Sequence, residues 1–438
     1  MARFAFIVAA FALTTACDTW LGESEAPPLP GERISVLAHE RELTPEIDPA
    51  SDRILLPAPL ANPDWPQPGG YANHAMHHIA VGDVLRKAWV ADTGDGADDD
   101  NRVISSPVIA AGRIVAMDAE SAISAFDAKS GQRLWQTELT PEDEEDEGHF
   151  GGGITLAGGL AYVTTGFAQV IALDVSNGAV VWRRSMESPM RAAPTERGGR
   201  LFVVTVDNVI HALDASEGGT LWTHTGIEET ASLLGGGSPA VDDGVVVVPF
   251  TSGELVALRV ANGRVLWTDT LTSRRRARLV TALAHIRGRP IIDRGRVFAM
   301  GVGDMMVSID LRSGRRIWER EIGGLESPWI VGNFLYAITS NAEVIALSRD
   351  DGRIHWVTPL RRFEDEEDKQ DPITWSGPIL ASDRVIVAGS HGMALAVSPY
   401  TGRILGRMRL PTGVSVPPVA ADRSVFFLTD DAELISYR

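Results

Sequence analysis

From about Val84 to its end, the chain places apolar residues in short bursts separated by glycine, serine, asparagine and aspartate. The stretch from Ser106 to Leu139, "SPVIAAGRIVAMDAESAISAFDAKSGQRLWQTEL", holds four such bursts: "PVIAA", "RIVAMDA", "AISAFDA" and "QRLWQTE". Gly112, Glu120-Ser121 and Ser130-Gly131 separate them, and these are turn-forming residues. The bursts are rich in Val, Ile, Phe and Trp and are too short for a typical helix. The same order returns in "PAVDDGVVVVPFTSGELVALRVANGRVLWTDT". Each period predicts a four-stranded antiparallel meander.

The periods are marked by a glycine turn followed by tryptophan, as in "RSGRRIWERE" and "SNGAVVWRRS". Trp135, Trp182, Trp222, Trp267, Trp318 and Trp356 stand 47, 40, 45, 51 and 38 residues apart. A seventh copy, "YTGRILGRMR", carries Gly406 in the tryptophan position. Spacings near 40–50 residues suit propeller blades and exceed those of the common two-helix repeats. The Ser-Gly or Asn-Gly pair supplies the positive-φ residue of a tight hairpin. The tryptophan falls on the outermost strand, where its ring can pack between neighbouring sheets.

Counting leaves an eighth period incomplete. "VPPVAADRSVFFLTDDAELISYR" contains three strands and ends before its tryptophan strand. "VLRKAWVADTG" places Trp89 in the right context, 46 residues before Trp135. The expectation is an all-β, eight-bladed β-propeller over residues 84–438, closed by this N-terminal strand so that no sheet edge is left open.

Ahead of the propeller, "MARFAFIVAAFALTTAC" has one positive residue, Arg3, and an apolar run from Phe4 to Leu13. The run is too short to span a bilayer and reads as a signal peptide over residues 1–16. Thr14-Thr15-Ala16-Cys17 resembles a bacterial lipobox, although Leu13 lies one step farther from the cysteine than usual. Cys17 is the lone cysteine and the expected lipidation site. The proline-rich stretch over 17–83 shows little periodicity and suits a partly extended tether. His74, His77 and His78 lack further ligands at telling spacings, so packing or surface roles are favoured over zinc.

Composition narrows the field. A net charge of −18 disfavours a phosphate-binding surface, and hence nucleic acid. One cysteine excludes an intrachain disulfide and a cysteine metal cage. Asp127, Asp174, Asp214 and Asp310 occupy the repeat's own turn position, where aspartate caps turns. The acidic stretches "DTGDGADDDN", "PEDEEDEGH" and "FEDEEDKQD" follow outermost strands and read as solvated loops on one face of the disc.

The repeats "VIALDVSNGAVVW", "VIHALDASEGGTLW" and "MVSIDLRSGRRIW" resemble the pyrroloquinoline-quinone-type propeller repeat. Two branches share it, the quinoprotein dehydrogenases and the BamB family. The latter are lipoprotein accessories of the β-barrel assembly machine in Gram-negative outer membranes. The likeness to the BamB family covers Val84 to Arg438 and the lipobox, and "PPLPGERISVL" is similar to the N-termini of its alphaproteobacterial members. The resemblance implies a non-catalytic scaffold without a cofactor, lipid-anchored on the periplasmic face of the outer membrane. Its implied partners are the periplasmic domains of BamA and other components of the machine, with unfolded outer membrane proteins as further candidates. Two neighbouring inter-blade loops would carry the BamA contact. They correspond here to "ETASLLGGGSP", with Leu233 and Leu234, and "TSRRRARLVTALAHIRG", with Arg274, Arg275, Arg276, Arg278 and His285. The family's arginine after the leucine pair is replaced by Leu234, and acidic positions of the second loop read Ala282, Ala284 and His285. Another periplasmic propeller scaffold is the first alternative. A quinone enzyme is the second, although a single cysteine cannot form the adjacent-cysteine ring of some such enzymes.

Overall fold

The structure is a computed structural model that describes residues 43–48, 50, 52–141, 151–229, 233–271 and 285–438. Cys17 and the Arg274, Arg275, Arg276 and Arg278 run lie outside the described residues. Every regular element described is a β-strand, and eight four-stranded antiparallel sheets account for nearly all of them. Blade one consists of Val108–Ala110, Arg113–Met117, Ile123–Asp127 and Arg133–Thr137, the four bursts of the first repeat. Blades two to seven occupy residues 153–185, 195–225, 240–270, 291–320, 329–359 and 375–409.

Blade eight is assembled from both ends of the propeller sequence. Val419–Ala421, Ser424–Leu428 and Glu433–Tyr437 are joined by Lys87–Asp92, which pairs with Glu433–Tyr437 and sets Trp89 opposite Ser436. The fold is therefore the closed eight-bladed propeller that the repeats predict. "FEDEEDKQD", expected to be a loop, forms a small hairpin of Phe363–Asp365 and Gln370–Pro372 between blades six and seven.

Each blade buries its inner strands and leaves its outermost strand half in solvent: Ile123–Asp127 is almost wholly buried, whereas Arg133–Thr137 alternates. The tryptophans lie on these outer strands, each paired across the sheet with a small residue. Ala125 faces Trp135, Ala172 faces Trp182, Ala212 faces Trp222, and Ser308 faces Trp318. The small partner leaves the ring free to lean toward the next blade. There each indole N–H donates to a backbone carbonyl: Trp135 to Val175 at 2.8 Å, Trp222 to Val260 at 2.9 Å, Trp267 to Leu311 at 2.8 Å and Trp356 to Pro399 at 3.0 Å. Burying the ring stabilises each blade contact by several kcal/mol at most, at roughly 25 cal/mol per Å².

The stretch before the first strand departs from the expected tether. From Asn62 to Gly82 it makes a complete circuit of the channel, bonding to every blade. Asn62 Nδ2 donates to Ala420 O of blade eight, Trp65 exchanges backbone hydrogen bonds with Ile109 of blade one, and Pro66 O accepts from Leu156 N–H of blade two. The Gln67 side chain pairs with the Glu196 backbone of blade three, while Ala72 O and Asn73 O accept from Val241 and Ile292 of blades four and five. His77 O accepts the Trp329 indole N–H of blade six, and Ile79 bonds Leu380 and Ser382 of blade seven. Most of these partners are the middle residues of innermost strands, whose channel-facing edges would otherwise lack hydrogen bonds. Trp65, Ala72, Ile79 and Val81 of the circuit are themselves buried. The part of the expected tether from Thr44 onward is thus built into the propeller, and seals one end of its channel.

Candidate functional site

In an antiparallel meander, the connections from an outermost strand to the next innermost strand all emerge on one face. The N-terminal circuit bonds the innermost strands themselves, beyond the points where these connections enter them, so the channel is blocked at the circuit and open toward the connections. The described parts of the two candidate docking stretches, residues 229, 233–239 and 285–288, belong to the connections on the open face, between blades three and four and between blades four and five.

Leu233 and Leu234 are half-buried, and the Leu233 N–H donates to Nδ1 of His285 at 3.2 Å. The two connections therefore touch. His285 itself is 1 % exposed, so it supports the leucine pair from behind and presents nothing to a partner. Burial is the main reason its pKa falls to about 4, and the charges of Arg287 and Arg191 push in the same direction. The ring is neutral at pH 7, which keeps the Nδ1 lone pair available to Leu233.

The glycines after the leucines are demanded by close approach. Gly235 has φ +84°, and a Cβ on Gly237 would lie 2.7 Å from the Pro249 side chain and 2.9 Å from Gly288 O. Sequence reasoning missed Ile227, which is 59 % exposed on the same connection while its backbone is held by Glu254 Oε2 and Asn208 Nδ2. A lone isoleucine between turn residues in "TGIEET" was the available signal.

The other sequence candidates resolve into local roles. Asp127 Oδ1 accepts from the Lys129 and Ser130 backbones, and Asp174, Asp214 and Asp310 accept in the same manner from Ser176, Ser216 and Ser313. Hydrogen bonds from these serines hold each carboxyl below its usual range. The three histidines separate: His74 Nδ1 donates to Pro290 O, His77 meets Asp293 and His78 Nδ1 donates to Pro57 O. Asp92 and Asp98, in the acidic stretch "DTGDGADDDN", cap their own turns.

At the open end of the channel lies a cavity of about 60 Å³, lined by Arg191, Arg287, Arg289 and Glu326, with Pro68 of the circuit among its walls. Arg287 pairs with Glu326 at 3.3 Å. A tricyclic quinone does not fit this space, which lies well below the ~300–1,000 Å³ of pockets that enclose whole small molecules. Nor does a quinone-bound calcium find ligands there, since the one carboxylate in the wall is committed to Arg287.

Closed blades of this repeat, a channel sealed at one end and an open face of long connections define a pyrroloquinoline-quinone-type propeller. The family model described as "Outer membrane protein assembly factor BamB" matches residues 89–147 and 119–358. The chain belongs to the BamB family. It is 29 % identical over 355 residues to the outer membrane protein assembly factor BamB of Escherichia coli (strain K12), covering 80 % of this chain and 88 % of that protein. It is 26 % identical over 349 residues to that of Kangiella koreensis, with 79 % and 85 % covered. Among solved structures, BamB from Moraxella catarrhalis superposes with TM-score 0.68 at 18 % identity over 81 % of this chain and all of that one. The quinohemoprotein alcohol dehydrogenase of Comamonas testosteroni gives 0.64 at 13 %, covering 86 % and 80 %, and shows that the propeller is common to both branches.

Proposed function

We propose that this chain is a non-catalytic assembly factor for outer membrane proteins, docking on BamA through the connections after blades three and four. Leu233 and Leu234 form the apolar centre of the contact, with Ile227 as a further exposed apolar residue of the same connection. Arg274, Arg275, Arg276 and Arg278 supply charge from the second connection. Cys17 carries the lipid anchor on the periplasmic face of the outer membrane. The observation that carries this reading is the Leu233–His285 hydrogen bond, because it joins the two stretches singled out by resemblance.

The test is co-purification. Leu233→Asp with Leu234→Asp is expected to abolish recovery of BamA while the melting curve stays cooperative, since both side chains are half-buried on a connection. Apolar anchors at interface centres commonly cost about 2 kcal/mol or more when removed. Full recovery of BamA by the folded double variant places the contact elsewhere. Cys17→Ser is expected to move the protein from the membrane to the soluble fraction, and unchanged fractionation refutes the anchor.

A further inference from the structure

We propose that the open mouth of the channel binds the C-terminal carboxylate of an extended polypeptide. Three arginines, Arg191, Arg287 and Arg289, line the cavity against the single carboxylate of Glu326. The wall is therefore positive by two charges in a chain whose net charge is −18. Among the described residues no carboxylate pairs with Arg191, while Arg287 is occupied by Glu326 at 3.3 Å. Arg289 Nε is enclosed without a hydrogen-bond partner, 3.2 Å from where a Cβ on Gly69 would stand. Arg289 shares the Glu326 carboxylate with Arg287, which leaves Arg191 as the guanidinium of the wall that no described carboxylate neutralises, and a charged N–H is a strong donor to an oxyanion. The depressed pKa of neighbouring His285, caused first by burial and then by Arg287 and Arg191, reports the same positive field.

Size and surroundings select the ligand. About 60 Å³ holds one functional group, and the sealed floor means that the group must be the end of something entering from the open face. A second cavity of about 30 Å³ shares Arg191, Ala192, Gly235 and Gly236 with the first and is walled by Val204, Val206 and Pro249. An anion seat adjoining an apolar seat matches a chain terminus, whose carboxylate is one bond away from the carbon bearing the last side chain. Planar carboxylates also suit the two-pronged guanidinium better than they suit an ammonium group. Inorganic phosphate shares the charge but has no group for the apolar seat.

Calorimetric titration of the full chain tests this with three probes: an N-acetylated tripeptide ending in phenylalanine, its C-terminal amide, and inorganic phosphate. The free acid should bind, more weakly as salt rises. The amide should bind at least tenfold more weakly, and Arg191→Gln should lose at least tenfold for the acid with an unchanged melting temperature. Equal binding of acid and amide overturns the proposal, as does an unaffected Arg191→Gln. Phosphate binding tighter than the free acid overturns the carboxylate assignment. Because Leu233 and Leu234 lie outside this lining, none of these outcomes bears on docking to BamA.

Discussion

The ring of Trp89 lies over Gly131, so close that a Cβ on the glycine would stand 2.6 Å from the indole. The same contact recurs around the disc: Trp135 over Gly178, Trp182 over Gly218, Trp222 over Gly263, Trp267 over Gly314, Trp318 over Gly352 and Trp356 over Gly402. The glycine of each repeat thus serves two ends. Its φ, +73° at Gly131, closes its own hairpin, and its missing side chain seats the tryptophan of the preceding blade.

The two roles separate experimentally. Gly112 has nearly the same φ, +74°, but open space where its Cβ would be. Gly112→Ala should cost only the left-handed backbone penalty, about 1–2 kcal/mol. Gly131→Ala must also displace the indole and should cost roughly 3 kcal/mol or more, in the range of overpacked cores. Urea unfolding midpoints decide, and equal losses would mean the ring contact contributes nothing.

Gly406 follows from the same geometry. Blade eight has no hairpin leading into its outermost strand, because that strand, Lys87–Asp92, is supplied from the N-terminal side of the propeller and not by the strand it pairs with, Glu433–Tyr437. A tryptophan on the outermost strand of blade seven would therefore have no glycine turn to lean on, and a Cβ at Gly406 meets nothing within 4 Å. Gly406→Trp should leave stability within about 0.5 kcal/mol, as for other surface changes. A gain of several kcal/mol would show that the ring finds another seat.

The blades were legible because each repeats one period, with turn residues at fixed offsets and β-branched bursts between them. The N-terminal circuit was not. Trp65, Ala72, Met76, Ile79 and Val81 each dock on a different part of the ring, so their spacing follows neither the period of a strand nor that of a helix. Prolines at 57, 59, 63, 66 and 68 made the stretch read as an extended tether. For the docking site, the leucine pair could be found in the sequence. The burial of His285 could not, since it depends on a contact across 52 residues.

Removing the circuit should therefore be far more damaging than removing a tether. Trp65 is 2 % exposed, stacks on Trp329 at 5.9 Å and bonds blade one through its backbone. Trp65→Ala should cost about 3–5 kcal/mol. Deletion through residue 83 should lower the melting temperature well below that of a deletion through residue 42. Coincident melting curves for the two deletions would reduce the circuit to an ornament of the fold.

Acid stability should report the two buried histidines. Burial first, and then Arg289, pushes His74 down to about 3, and His285 falls to about 4. Both are uncharged in the folded chain over a range where the unfolded chain binds a proton with a pKa near 6.5. Their contribution is complete above pH 6.5 and is lost as pH falls from there toward the folded values. Asp118 acts in the opposite sense. Burial raises it to about 6 even though it accepts backbone hydrogen bonds from Asp95, Glu120 and Ala122, so the folded chain binds the extra proton between about pH 4 and 6. Two histidines against one aspartate leave stability falling with acidification across that window. His285→Gln keeps an acceptor for Leu233 but removes the titration, and should flatten the fall by about 1 kcal/mol per pH unit. Asp118→Asn should steepen it by a similar amount. Urea midpoints at pH 7, 6, 5 and 4 measure both slopes, and a slope unchanged by His285→Gln would mean that the ring is protonated in the folded protein.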